Sequence, residues 1–153
     1  MATERFESIG RHMMITDKYF KLYLRESLAP YELNTAQGIV LLMMYHNEAV
    51  EKNTQENLIR RIHYDKGVMT RTMKELEQKG YVLREPNPAD SRSYLFSLTE
   101  KGLAFQETMM QLLHRWNEGL LCGISKEELS VLKSALSKMA QNACAQCTRQ
   151  QAN

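Results

Sequence analysis

Apolar residues near the start of the chain recur at Phe6, Ile9, Met13, Phe20, Tyr23, Leu24 and Leu28, in steps of mostly three, four and seven. Such steps return to one side of a 3.6-residue helix and predict a first helix with an inward stripe. Pro30 ends it, because a proline pushes the residue before it out of the helical region. Asn34 followed by Gln37 predicts a capping box for a second helix, and the run from Ile39 to Tyr45 is apolar nearly all round. That helix is expected to be deeply buried. Asn53 with Glu56 predicts the start of a third helix that turns Leu58, Ile59 and Ile62 inward and Arg60 and Arg61 outward. Past His63 and Tyr64, Asp65 suits the N-cap of a fourth helix running to Lys79, with Gly80 as its stop. Two short helices thus meet across a brief turn.

From Tyr81 the period drops from 3.6 to 2. Tyr81, Val82 and Leu83 are β-formers, and Tyr94, Phe96 and Leu98 alternate with Leu95 and Ser97, which predicts two short strands. The segment from Pro86 to Ser93 is too long and proline-rich for a tight hairpin and is expected to protrude as a loop. Thr99 opens a fifth helix with Leu103, Met109, Leu113, Trp116 and Leu120 on one face. Ser125 with Glu128 caps a sixth, whose face is Leu129, Leu132, Leu136, Met139 and Ala143. The fold class expected is mainly α with a small β-hairpin, in which helix pairs flank a central helix-turn-helix.

Composition adds limits. A chain of 153 residues with 43% hydrophobic residues, seven Gly and three Pro fits one compact, helix-rich unit over 1–153. No apolar run is long enough to span a bilayer, and Glu4, Arg5 and Glu7 break any signal-peptide pattern, so a cytoplasmic location is expected. Three cysteines give no disulfide framework and are expected as thiols. A net charge of +2 says little, but its distribution says more. From Lys52 to Arg84 there are eight basic residues against four acidic ones, and the remainder is slightly acidic.

The cations concentrate where chemistry is expected. On the fourth helix Gly67, Thr70, Arg71, Lys74 and Gln78 share one stripe, while Met69, Met73 and Leu76 share another. Alone, this is a solvated helix face. The hairpin alters that picture, since its loop carries Arg92 two residues after Asp90: an extended cation for a narrow minor groove, with a carboxylate to hold its guanidinium fork. A polar, basic helix for the major groove followed by a basic hairpin is the winged-helix arrangement.

The run Asp65-Lys66-Gly67-Val68-Met69-Thr70-Arg71, followed by Leu76-Glu77-Gln78-Lys79-Gly80-Tyr81-Val82, resembles the recognition helix of the MarR family and its exit into the wing. Asn87-Pro88-Ala89-Asp90-Ser91-Arg92-Ser93, followed by Leu98-Thr99-Glu100-Lys101-Gly102, resembles that family's wing and the helix after it, and Thr54, Gln55 and Leu58 match the entry to its third helix. The resemblance implies a homodimeric, bacterial, sequence-specific DNA-binding transcriptional regulator, a repressor released by a small-molecule effector. It implies DNA contacts from Lys66, Thr70, Arg71 and Arg92, with Asp90 in support, on double-stranded DNA with a pseudo-palindromic operator, and the basic stripe of the fourth helix adds Lys74. It implies a winged-helix lobe at 34–99 and dimerization helices at 1–33 and 100–153. Gly67 departs from the family's frequent Ser and withholds a hydroxyl from a nearby phosphate.

Other signals admit two readings. Methionine pairs at Met13-Met14, Met43-Met44 and Met109-Met110, with Tyr19, Tyr23, Tyr45 and Trp116, suit either plain core filling or a deformable pocket. The resemblance places an effector pocket beside these helices, so Met13, Tyr19, Tyr23, Met43 and Tyr45 are its candidates, for a small aromatic or anionic effector. Cys144 and Cys147 have the spacing of half a zinc site, but no second pair accompanies them and Cys122 is distant, which favours free thiols. A peroxide-sensing relative would carry a cysteine near the start of the first helix, where this chain has none. His46 and His114 lack an evident ligand partner, so no metal and no cofactor is expected. No glycine-rich phosphate loop, nucleophile elbow or paired-His motif appears, which argues against an enzyme. The rival reading is a winged-helix module that binds protein without specific DNA binding.

Overall fold

The computed structural model describes residues 2–46, 54–62 and 64–151, with side chains over 9–46, 54–62 and 64–146. Phe6, Lys52, Asn53, His63 and Cys147, on which expectations rested, lie outside the residues whose side chains are described.

Helix α1, Ala2–Leu28, buries its C-terminal end: Leu24 and Leu28 are inside, whereas Ile9, Met13 and Met14 are exposed. A 3-10 turn at Ala29–Tyr31 carries Pro30, and Glu32 then takes φ 56, a left-handed conformation that reverses the chain. Helix α2, Thr35–Tyr45, opens on the expected capping box, with the Gln37 amide donating to Asn34 Oδ1 at 2.9 Å and the Asn34 amide to Gln37 Oε1 at 3.1 Å. Val40, Leu41, Met44 and Tyr45 are buried, and Ile39, Leu42 and Met43 half-buried, as an all-round apolar helix requires.

Helix α3, Gln55–Ile62, is capped by Thr54, whose hydroxyl accepts the Asn57 amide at 3.2 Å. Leu58 is fully buried and Arg60 exposed. Arg61 corrects the outward expectation: it is half-buried and donates from Nη2 to the Met43 carbonyl at 2.9 Å. The carbonyls of a helix's last turn lack intrahelical partners, and that demand turns the guanidinium inward. Helix α4, Lys66–Gln78, starts at Asp65, which accepts the Val68 amide at 2.8 Å, and stops at Gly80 with φ 74. There the Tyr81 amide reaches back to the Leu76 carbonyl at 2.9 Å, the long bond of a Schellman motif.

Strands β1, Val82–Pro86, and β2, Tyr94–Leu98, pair antiparallel from Val82 opposite Leu98 to Pro86 opposite Tyr94. Thr54 bridges to Leu95, tying the entry of α3 to the hairpin's free edge. Helix α5, Glu100–Leu120, buries Gly102, Phe105, Met109 and Leu112. Leu103, expected inward, is 55% exposed, because the face that starts at Gly102 recurs at three and four residues and leaves Leu103 about 100° away. Helix α6, Lys126–Gln151, begins at the expected Ser125–Glu128 capping box, with bonds of 2.8 and 3.1 Å. The six helices and hairpin establish the mainly α fold class with a two-stranded wing.

The chain divides into two compact units, Met1–Trp116 and Asn117–Asn153. The first contains one core, in which Leu24, Leu28, Leu41, Leu58, Met69, Met73, Leu76 and Met109 gather from α1 to α5. In the second, α6 leaves Val131, Leu132 and Leu136 exposed.

Candidate nucleic-acid interface

Helix α4 separates its two faces cleanly. Met69, Thr72, Met73 and Leu76 are buried, while Lys66, Gly67, Thr70, Arg71, Lys74 and Gln78 are exposed. The helix is held on its polar edge as well as by its apolar face. Gln37 of α2, 1% exposed, donates to Glu75 at 2.6 Å and accepts from Lys79 at 3.0 Å. Lys79 also donates to the Glu32 carbonyl, and its own carbonyl accepts from Lys101 at 2.7 Å. A buried carboxamide with its polar atoms satisfied fixes orientation more sharply than apolar contact does, so α4 is set at a defined angle on α2.

The cations on its outer face are uncommitted. Among the described residues no carboxylate is ion-paired with Lys66, Arg71, Lys74 or Arg92. Thr70 differs: its hydroxyl donates to the Lys66 carbonyl at 2.7 Å and accepts from Gln55 Nε2 at 2.6 Å.

The wing loop is ordered by its own hydrogen bonds. The Asn87 amide donates to the Ser93 carbonyl at 3.1 Å, and the Asn87 side chain, 8% exposed, donates to the Ser93 hydroxyl at 2.8 Å and accepts from the Ala89 amide at 3.0 Å. Asp90 has a different partner from the one expected. Its Oδ1 accepts the backbone amide of Arg92 at 3.0 Å rather than the guanidinium, because an Asx turn two residues long places the carboxylate against the backbone. Arg92 is thus presented by a tight turn, with its charge exposed. At the wing's stem, Arg84 lies 3.5 Å over the Tyr94 ring. Sequence reasoning missed Asn87; the Asn-Pro-Ala run was its signal, since Asn caps such turns.

The wing's root is clamped to α5. Thr99 donates its hydroxyl to the Gly80 carbonyl at 2.6 Å and accepts the Gly102 amide at 3.0 Å, and Tyr45 donates to the Gly102 carbonyl at 2.8 Å. A Cβ at Gly102 would stand 2.2 Å from the Tyr81 carbonyl oxygen.

The five pocket candidates go to different surroundings. Met13 and Tyr19 are exposed, and Met43 is half-buried. Tyr23 donates to the Leu112 carbonyl at 2.8 Å and packs 5.3 Å from the Trp116 ring. Tyr45 belongs to the core, and burial pushes its hydroxyl far above the usual tyrosine value. An open hollow of about 500 Å³ on α5 is lined instead by Glu107, Met110, Gln111, His114 and Arg115. Cys122 and Cys144 are exposed and neither is in a disulfide among the described residues, and His46 sits against the Leu42 carbonyl at 2.8 Å.

Two packed helices separated by three residues in sequence, a basic outer face and a hairpin that extends beside it define a winged helix-turn-helix. Residues 31–93 match the MarR family. The HTH-type transcriptional regulator BilQ of Clostridioides difficile is 30% identical over 129 residues, 84% of this chain and 84% of its own length. The chain belongs to the MarR family and is a DNA-binding transcriptional regulator. A MarR transcriptional regulator from Methanosarcina mazei superposes with a TM-score of 0.83 at 28% identity, over 90% of this chain and 96% of that one. A mutant MarR from E. coli, complexed with operator DNA, does so with a TM-score of 0.73 at 30% identity, over 88% of this chain and 96% of that one. The family is one of regulators rather than enzymes, and these likenesses favour a DNA-binding wing over a protein-binding one. No helix among the described residues is long and apolar enough to cross a membrane.

Proposed function

We propose that the protein is a cytoplasmic homodimer that represses transcription by placing one α4 in each of two successive major grooves of a pseudo-palindromic operator. The observation that carries this reading is the exposed row of Lys66, Thr70, Arg71 and Lys74 on α4, with no carboxylate paired to its cations, beside a wing whose turn presents Arg92. Arg71 grips a guanine edge, Lys66 and Lys74 pair with phosphates, and Arg92, presented by Asp90, enters the flanking minor groove. The winged-helix lobe is residues 34–99, and residues 1–33 and 100–153 form the dimer. Support for a second copy comes from exposed Ile9, Met13 and Met14 on α1 and Val131, Leu132 and Leu136 on α6, apolar positions that a monomer leaves in water. A small aromatic or anionic effector, taken up beside the accessible Met13 and Tyr19 of α1, weakens operator binding, whereas Tyr45 in the core and Tyr23 on the Leu112 carbonyl are committed elsewhere.

Two measurements test the reading. Fragmented genomic DNA incubated with purified protein should yield a recurrent two-fold sequence with half-sites about one helical turn apart. Recovery of random fragments alone would remove the operator. Sedimentation equilibrium should give twice the 17.8 kDa chain mass, and a monomer at micromolar concentration would remove the dimer.

A further inference from the structure

The bonds around Thr70 determine what that residue has left to offer a base pair. A threonine hydroxyl holds one proton and two lone pairs. Here the proton goes to the Lys66 carbonyl at 2.7 Å, and one lone pair accepts from Gln55 Nε2 at 2.6 Å. The Lys66 bond lies within α4, and the Gln55 bond comes from the first residue of α3. The hydroxyl is therefore pinned from two helices and has no proton to donate to a base acceptor or a phosphate.

We infer that Thr70 recognises DNA through its methyl group, selecting a thymine by contact with the thymine 5-methyl, and that Gln55 is the positioning residue that holds it in this presentation. The inference rests on the proposed entry of α4 into the major groove. Thymine is the base that presents a methyl group there, and a threonine methyl is a natural apolar partner for it. Without Gln55 the hydroxyl is held by the Lys66 bond alone and regains a second lone pair, with which it competes for the amino edges of other bases. Gln55 keeps a second amide proton and its carbonyl oxygen, so the bond to Thr70 leaves the carboxamide free for a further contact.

The test uses the full-length protein as wild type, Thr70→Val, Thr70→Ser and Gln55→Met, all folded by circular dichroism. Wild-type protein first selects from a pool of randomised duplexes. The selected duplex is then remade with uracil in place of thymine, one position at a time, and affinities are measured for each variant. One thymine per half-site should show about a fourfold loss on replacement in the wild type, the worth of one buried methyl group at about 0.8 kcal/mol. Thr70→Val, which keeps the methyl, should retain that loss. Thr70→Ser, which keeps the hydroxyl, should abolish it, and Gln55→Met should reduce it below twofold while other positions respond as before. A selected sequence with no uracil-sensitive thymine, or sensitivity that survives in Thr70→Ser or vanishes in Thr70→Val, overturns the methyl contact alone. Unchanged sensitivity in Gln55→Met overturns the role of Gln55. Failure of the wild type to select any sequence overturns the proposed function itself.

Discussion

At Gly102 the backbone of α5 passes so close to the wing root that a side chain would collide with the Tyr81 carbonyl. Alanine is the better helix former by about 1 kcal/mol, but the obstructing atom is backbone within a clamped junction and cannot swing aside. The collision wins, and Gly102→Ala should lower stability by about 1–3 kcal/mol, read as a drop in the thermal midpoint. An unchanged midpoint would mean that the strand retreats freely. Arg71 and Arg92 differ in what each groove offers them. Arg71→Ala should cost roughly 1–3 kcal/mol on the operator and relax choice at one base pair per half-site. Arg92→Ala should weaken operator and scrambled duplex alike and flatten the salt dependence. Titrations of both duplexes across a salt series check this, and equal losses of specificity from the two variants would contradict it. The identity of these residues was legible because helical spacing places them on one stripe. Their local partners were not: whether Asp90 meets its neighbour's side chain or its backbone depends on turn geometry, to which period and composition are blind.

Helix ends were more legible than faces. Caps involve residues three apart in sequence, so Asn34 with Gln37, Asp65 with Val68 and Ser125 with Glu128 were all readable, and all three form. Of these, Asn34 carries the most, because its partner Gln37 also holds Glu75 and Lys79 of the reading-helix segment. Asn34→Ala should cost about 1 kcal/mol as a cap. If the cap also steadies α4, operator affinity should fall with it, whereas Ser125→Ala should lower stability without touching affinity. Comparing urea midpoints and operator affinities for the two variants separates these outcomes. Inward faces on α5 were misread at Leu103, since an apolar residue adjacent to a buried glycine looks like the better core candidate until the glycine's contact is known. The inward turn of Arg61 escaped for a similar reason: the carbonyl it answers lies on another helix.

Across the whole molecule, burial pushes the hydroxyls of Tyr45, Tyr64 and Tyr81 above the usual value of 10.0. In the unfolded chain these groups lose their protons first, so the folded state binds more protons as the pH passes 10. Their contribution to stability is intact below that point and is lost progressively above it. Chemical denaturation at rising pH should show stability falling beyond about pH 10, and more shallowly in Tyr45→Phe. An identical slope in that variant would remove Tyr45 from the account. The clamp at Gly102 has a mechanical corollary. Gly102, Phe105, Met109 and Leu112 fix the first half of α5 to the reading lobe, so that lobe and helix tilt together, and the 21 residues of α5 make an arm about 30 Å long, at 1.5 Å per residue. A swing of that arm by roughly 5° shifts its two ends by nearly 3 Å relative to one another. In the proposed dimer two-fold symmetry applies the swing twice, moving the reading heads by up to about 5 Å against a groove repeat of about 34 Å. Because the lobe and α5 tilt as one packed body, a swing of that size leaves the core's contacts in place and still puts both heads out of step with the double helix.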